Sequence, residues 1–189
     1  LLHGPHGEDG TVQGLLELFK VPYVGCGVLS SALCMDKAMA KEVAARAGIP
    51  QCRWLTFRDG VDSARGIVRR AVDELGLPVF VKPANMGSSV GVSRAATVEE
   101  LDAAINTALR YDDTVVIEEA VTAREIEVGV LGNTAPETTY PGEVRPGSDF
   151  YDYEDKYVTG SAELVIPAEL SDAAIAEVRE LAAKSFEAL

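Results

Sequence analysis

Residues 79–91, Val79-Phe80-Val81-Lys82-Pro83-Ala84-Asn85-Met86-Gly87-Ser88-Ser89-Val90-Gly91, run an apolar strand into a lysine and then into a loop of small residues. A strand that ends this way must place a cation at its edge and a close-fitting backbone turn just beyond it. Gly87 and Gly91 let the main chain approach a ligand, the serine hydroxyls can donate, and Lys82 can neutralise charge. Two readings stay open on pattern alone, a phosphate cradle and a plain β-turn. No G-x-x-x-x-G-K-[ST] string occurs in the chain, so it is not a Walker A loop. Gly25-x-Gly27-x-x-Ser30 lacks the last glycine of the dinucleotide fingerprint.

The 189 residues, 47% of them hydrophobic, suffice for a buried core in one domain or two small ones. A net charge of -13 argues against a nucleic-acid partner, because a phosphate backbone requires a basic stripe. A small anion held by a few local lysines remains compatible with that charge. Cys26, Cys34 and Cys52 are odd in number, without a C-x-x-C or paired histidines nearby. They indicate neither a disulfide framework nor a zinc site, and a reducing cytoplasm is expected. No apolar run reaches the roughly 20 residues needed to cross a bilayer, and no signal peptide opens the chain, so no membrane association is expected. The chain opens at Leu1-Leu2 beside a glycine-rich loop and stops within a helical pattern, so both ends are expected to be cut.

Along the chain, Leu1 and Leu2 read as a strand tail, followed by a loop and a helix carrying Val12, Leu15, Leu16 and Phe19. Residues 21–25 read as a short strand. Asp36 is placed to cap a helix through Ala47, stopped by Gly48 and Pro50. A strand over 54–57 and a helix over about 61–75 follow. Thr97 and Glu100 form a capping box before Val98, Leu101, Ile105 and Leu109. Residues 115–117 read as a buried strand, and 125–130 alternate as in an antiparallel sheet covered on one face. Residues 136–155 lack periodicity and predict a long surface loop flanked by short strands. After residues 164–166, Ser171 caps a final helix with Ile175, Val178, Leu181, Ala182 and Phe186 inward. The expected class is α+β with a boundary near Met35.

Lys37, Lys82 and Lys156 stand at element edges near glycine or tyrosine, and together could hold a triphosphate; singly, each reads as a solvated surface lysine. Glu118 and Glu119 end a strand and Glu125 begins the next, an arrangement that can offer backbone groups to a base and a carboxylate to a ribose. The alternative is a hydrated acidic pair at a strand end. His3 and His6 lie in the first glycine loop with Glu8 and Asp9, which either seat a carboxylate substrate or support the helix that follows. Residues 149–157 hold half of the chain's six tyrosines, as a lid or as a plug on the sheet.

Four motifs resemble the D-alanine:D-alanine ligase family of the ATP-grasp enzymes. They are His3-Gly4-x-x-Gly7-Glu8-Asp9-Gly10-x-x-Gln13-Gly14, Met35-Asp36-Lys37, Lys82-Pro83-x-x-x-Gly87-Ser88-Ser89-x-Gly91 and Phe150-Tyr151-Asp152-Tyr153-x-x-Lys156-Tyr157. The first and last are close to specific for this family, and the middle two are shared more widely among ATP-grasp proteins. The resemblance implies an α/β N-terminal part, here only its remainder over residues 1–35, joined to an ATP-grasp domain with antiparallel sheets over 36–189. Within 36–189 it implies the central subdomain and the start of the C-terminal one.

The resemblance also implies an ATP-dependent carbon-nitrogen ligase that phosphorylates the carboxylate of one D-alanine and lets the amine of a second attack the acyl phosphate, in peptidoglycan precursor synthesis. Carried over residue by residue, Lys37 and Lys82 contact ATP phosphates and Ser89 belongs to the flexible glycine loop. Glu118, Glu119, Ala120 and Val121 line the adenine pocket, with Glu125 on the ribose. His3 lies near the first D-alanine, Ser88 and Tyr157 lock the lid and orient that substrate, and Lys156 reaches the transferred phosphate. Tyr157 implies the dipeptide, since relatives making D-alanyl-D-lactate carry phenylalanine or histidine there. The resemblance further implies ATP and Mg2+ or Mn2+, and a homodimer in a bacterial cytoplasm. The alternatives are an ATP-grasp ligase with another acceptor such as D-lactate, and an ATP-binding module without turnover.

The family's metal ligands, its C-terminal arginine and its N-terminal glutamate have no counterpart in these residues, so no metal site is expected within this chain. The 189-residue chain is accordingly expected to make little or no dipeptide by itself. Coupled assay of ATP, Mg2+ and D-alanine tests this, and clear dipeptide synthesis would refute it.

Overall fold

The computed structural model describes residues 4–145 and 162–189. The chain divides into two compact units, residues 1–43 with 50–121, and residues 44–49 with 122–189. The first is built on a four-stranded antiparallel sheet of β1 (Trp54–Arg58), β2 (Val79–Pro83), β3 (Ser93–Ala95) and β4 (Thr114–Glu119), in the order β1-β4-β2-β3. Alternate residues face opposite sides of a strand, so Leu55, Phe57, Val79, Val81, Val115 and Ile117 all fall on one side, where they are buried. Helix α4 (Ala64–Arg70) and helix α5 (Val98–Ala108) cover that side with Ile67, Leu101, Ala104, Ile105 and Ala108.

The helix ends follow from local hydrogen bonding. Thr97 Oγ1 accepts from the Glu100 N–H at 3.2 Å, while Glu100 Oε2 accepts from the Ala96 N–H at 2.7 Å, one residue before the expected reciprocal partner. Ser63 caps α4 by accepting from the Gly66 N–H, so the helix starts three residues later than the apolar pattern at Val61 suggests. It then widens into a π-helical turn over Ala71–Leu75, which helical periodicity does not reveal.

Helices α1 (Thr11–Leu18), α2 (Val28–Met35) and α3 (Lys37–Arg46) precede the sheet. Asp36 Oδ1 accepts from the Ala38 and Met39 N–H groups, as the expected cap requires. Gly10, at φ 90°, is fixed by close approach: a Cβ there would lie 2.7 Å from the Val28 carbonyl oxygen. Asp9 accepts from the Thr11 and His6 N–H groups, which hold its carboxyl down at about 2. The expected strand over 21–25 does not form. Lys20 turns the chain at φ 56°, no described strand pairs with the segment, and Val24 is left exposed. Leu15 in α1 and Phe19 at its C-cap are likewise exposed.

The second unit pairs β5 (Glu125–Glu127), β8 (Gly142–Arg145) and β9 (Glu163–Val165) in an antiparallel sheet, with a two-stranded ribbon of β6 (Val130–Leu131) and β7 (Glu137–Thr138). The continuous strand expected over 125–130 is therefore split, and two strands lie inside the expected long loop. Glu143, only 4% exposed, is held by Arg124 through a two-point bridge of 2.6 and 2.8 Å and by Arg145 at 3.1 Å. The hydrogen bonds from Arg124 lead in pulling its carboxyl down to about 2. Helix α6 (Asp172–Ala188) starts at the Ser171 cap, and Ile175, Val178, Leu181, Ala182 and Phe186 are half-buried along it. None of the described helices is long and apolar enough to cross a membrane.

Because Leu101 is fully buried between α5 and the sheet, Leu101→Ala is expected to cost about 2–5 kcal/mol. Urea unfolding of the two proteins measures this directly.

Candidate functional site

The second face of the four-stranded sheet carries the residues that alternate with the core: Trp54 on β1, Phe80 and Lys82 on β2, and Val116 and Glu118 on β4. Glu118 stands opposite both Trp54 and Phe80, and diagonal to Lys82, whose own partner is Val116. Its carboxylate is buried and meets two ammonium groups, Lys82 Nζ on Oε2 at 2.5 Å and Lys41 Nζ on Oε1 at 3.2 Å. Burial pushes the Glu118 carboxyl up, but Lys82 and then Lys41 outweigh it and hold the group below its ordinary value. A carboxyl lowered on folding stabilises the fold above its unfolded pKa and loses that contribution as pH falls through the folded one.

Lys37 closes the other side. Its ammonium donates to the Pro83 and Ala84 carbonyls at 3.2 Å each and to the Met86 carbonyl, while its own N–H donates to the Ala84 carbonyl. These carbonyls are where β2 passes into the glycine loop, so Lys37 sits at the loop's entrance. Burial, and then the charge of Lys82, push its pKa below the ordinary lysine value. Two cations thus repel each other beside the loop, and an anion placed between them would relieve that repulsion.

The loop is pinned at both ends by the turn after α5. Asp112 Oδ2 accepts from the Asn85 N–H and Nδ2–H at 2.7 Å each, and its Oδ1 accepts from the Thr114 N–H at 2.9 Å. Gly91, at φ 72°, lies against Tyr111, where an added Cβ would be 2.7 Å from Cδ2. Between the anchors, left-handed backbone falls on Ser88 (φ 51°) and Ser89 (φ 59°) rather than on Gly87. A non-glycine residue there costs about 1–2 kcal/mol, so the turn needs its anchors.

The sequence candidates thus fall into separate places. Lys37, Lys82, Ser88, Ser89, Glu118, Glu119, Ala120 and Val121 belong to the first unit, and Glu125 begins β5 in the second. Glu119 is held by Arg53, whose backbone N–H, Nε and Nη2 reach its carboxylate at 2.7–2.8 Å. The Glu119 and Ala120 N–H groups donate to the Arg53 and Pro78 carbonyls. His3, Lys156 and Tyr157 lie outside the described residues, as does the tyrosine-rich segment around Lys156 and Tyr157. Among the described residues, no group of three or more His, Cys, Asp or Glu is arranged to hold a metal ion. Sequence reasoning missed Lys41 and Asp112. The spacing Lys37-x-x-x-Lys41, which puts both lysines on one helix face, was the available signal for the first.

Comparison with known proteins places this geometry in a class. Over 99% of this chain and 54% of the other, it matches the crystal structure of the VanG D-Ala:D-Ser ligase from Enterococcus faecalis, with a TM-score of 0.89 and 37% identity. It matches the D-alanine-D-alanine ligase from Coxiella burnetii with a TM-score of 0.83 and 36% identity, over 98% of this chain and 48% of that one. Mixed helices and antiparallel sheets, with these neighbours, define an ATP-grasp fold.

Family models for the D-ala D-ala ligase C-terminus and N-terminus match residues 43–189 and 1–26. The chain belongs to the D-alanine–D-alanine ligase family. It is 50% identical to the D-alanine–D-alanine ligase of Bacillus velezensis over all of this chain and 54% of the relative. It is 52% identical to that of Caldicellulosiruptor bescii over 98% of this chain and 52% of the relative. The chain thus spans about half the length of the curated relatives it matches.

Asp112→Ala removes the acceptor for three hydrogen bonds at the loop's base, at an expected cost of about 1–3 kcal/mol. Urea unfolding gives the cost, and amide hydrogen exchange should quicken at Asn85.

Proposed function

We propose that this chain is part of an ATP-dependent ligase that joins two D-alanines into D-alanyl-D-alanine for peptidoglycan precursors in a bacterial cytoplasm. The observation that carries the reading is the placement of Lys37 on the Pro83, Ala84 and Met86 carbonyls at the entrance of the glycine loop, with Lys82 on the strand that leads into it, on a chain belonging to this family. An ATP phosphate there neutralises both, and the loop with Ser89 closes over it. Glu118, Glu119, Ala120 and Val121 line the adenine pocket and Glu125 takes the ribose.

Ser88 and Tyr157 orient the first D-alanine, His3 lies beside it, and Lys156 reaches the phosphate in transfer. Phosphoryl transfer demands positioning and neutralisation more than covalent chemistry, and these residues supply both. A divalent cation, Mg2+ or Mn2+, shields the triphosphate when bound, but among the described residues no group of three or more His, Cys, Asp or Glu is arranged to hold it. The domain boundary is placed near Met35, with residues 1–35 as the remainder of the substrate-side domain and 36–189 in the ATP-grasp domain. The whole protein is proposed to be a homodimer.

A second reading, a ligase with another acceptor, is favoured by one observation: the structural neighbour with a TM-score of 0.89 is a D-Ala:D-Ser ligase. Phosphate release from ATP and Mg2+, with and without D-alanine, tests the proposal on this chain beside one extended at both ends to its relatives' length. D-alanine-dependent release by the extended chain is the expected result, with D-alanyl-D-alanine as product. ATP binding without such release would refute it, and a mixed product with D-serine or D-lactate would favour the second reading.

A further inference from the structure

Lys41 lies one helical turn beyond Lys37 on α3, so both ammonium groups point to the same sheet face. Its Nζ is 3.2 Å from Glu118 Oε1 and 5.2 Å from the centre of the Trp54 ring. Its side chain is 15% exposed, less than the 26% of Lys82. Lys41 therefore sits deeper than Lys82 on the same carboxylate, with an aromatic face to hold it. The two lysines take different oxygens of Glu118, so either can leave without displacing the other.

That division bears on what a ligand must break. If Lys82 alone neutralised Glu118, moving it to a phosphate would strand an unpaired buried carboxylate, which is strongly unfavourable. With Lys41 on the second oxygen, Glu118 stays paired while Lys82 turns to the anion.

We propose that Lys41 is a positioning residue that keeps Glu118 neutralised, leaving Lys82 free to exchange the carboxylate for a ligand phosphate. This rests on the assignment of Lys82 to a phosphate. Lys41 acts through Glu118 and touches no ligand itself.

The test is ATP binding by calorimetry on the unaltered chain, Lys41→Met, Lys41→Arg, Glu118→Gln and the double variant Lys41→Met/Glu118→Gln. Thermal unfolding of each confirms that it is folded. Lys41→Met should weaken ATP binding about tenfold, with Lys41→Arg recovering most of it. In the Glu118→Gln background the same Lys41→Met change should have no further effect, because a neutral amide needs no second cation. Equal losses in both backgrounds would mean that Lys41 contacts the ligand directly, and no loss in either would mean that it only packs; each overturns the proposal. Lys82→Met separates the two layers of argument. If it leaves ATP binding intact, or if the unaltered chain binds no ATP, the phosphate assignment fails and this inference with it. If Lys82→Met weakens binding and Lys41→Met does not, the inference alone fails.

Discussion

A carboxylate buried on a sheet face must be neutralised, and Glu118 imposes that condition on everything around it. Its position follows from strand alternation: Val115 and Ile117 enter the core, so Val116 and Glu118 must face the other way. The two lysines that answer it come from different elements, Lys82 from β2 and Lys41 from α3. One charge thereby links a helix to two strands. Lys37, one turn before Lys41, extends the link to the carbonyls that open the glycine loop.

The loop itself shows how a permissive sequence becomes a defined turn. Small residues at 84–91 allow many conformations, and the chain selects one by fixing the two ends. Asp112 holds the start through the Asn85 N–H and side-chain amide, and Tyr111 lies against Gly91 at the finish. Both anchors come from one turn after α5, so the loop inherits its position from the same helix whose Leu101 and Ile105 build the core. Stability of the core and geometry of the site are therefore not independent.

Much of the first unit was legible because its signals are local. The lysine strand, the Thr97 cap and the apolar face of α5 depend on neighbours within a few residues, as does the Ser171 cap in the second unit, and each formed as expected in type. Residues 21–25 failed because a strand is a partnership, and β-branched residues advertise only one member of it. The split of 125–130 and the strands within 136–155 likewise depend on pairing that composition does not encode. At the site, Lys37 and Lys82 stood out in the sequence as lysines at element edges. Asp112 was not, since its role rests on a contact with Asn85 across 27 positions of sequence. Glu143 and Arg124 were missed for the same reason, an ion pair spanning 19 positions.

Trp54 is the chain's one tryptophan, and its ring lies beneath the Lys41 ammonium, opposite Glu118 in the strand register. Indole emission responds to nearby charge, and here a single fluorophore stands beside a single cluster. The fold thus contains an unlabelled optical probe of its own electrostatics, one whose signal is not diluted by another tryptophan among these 189 residues. Events on that sheet face can be followed in real time with light, in the protein as it is.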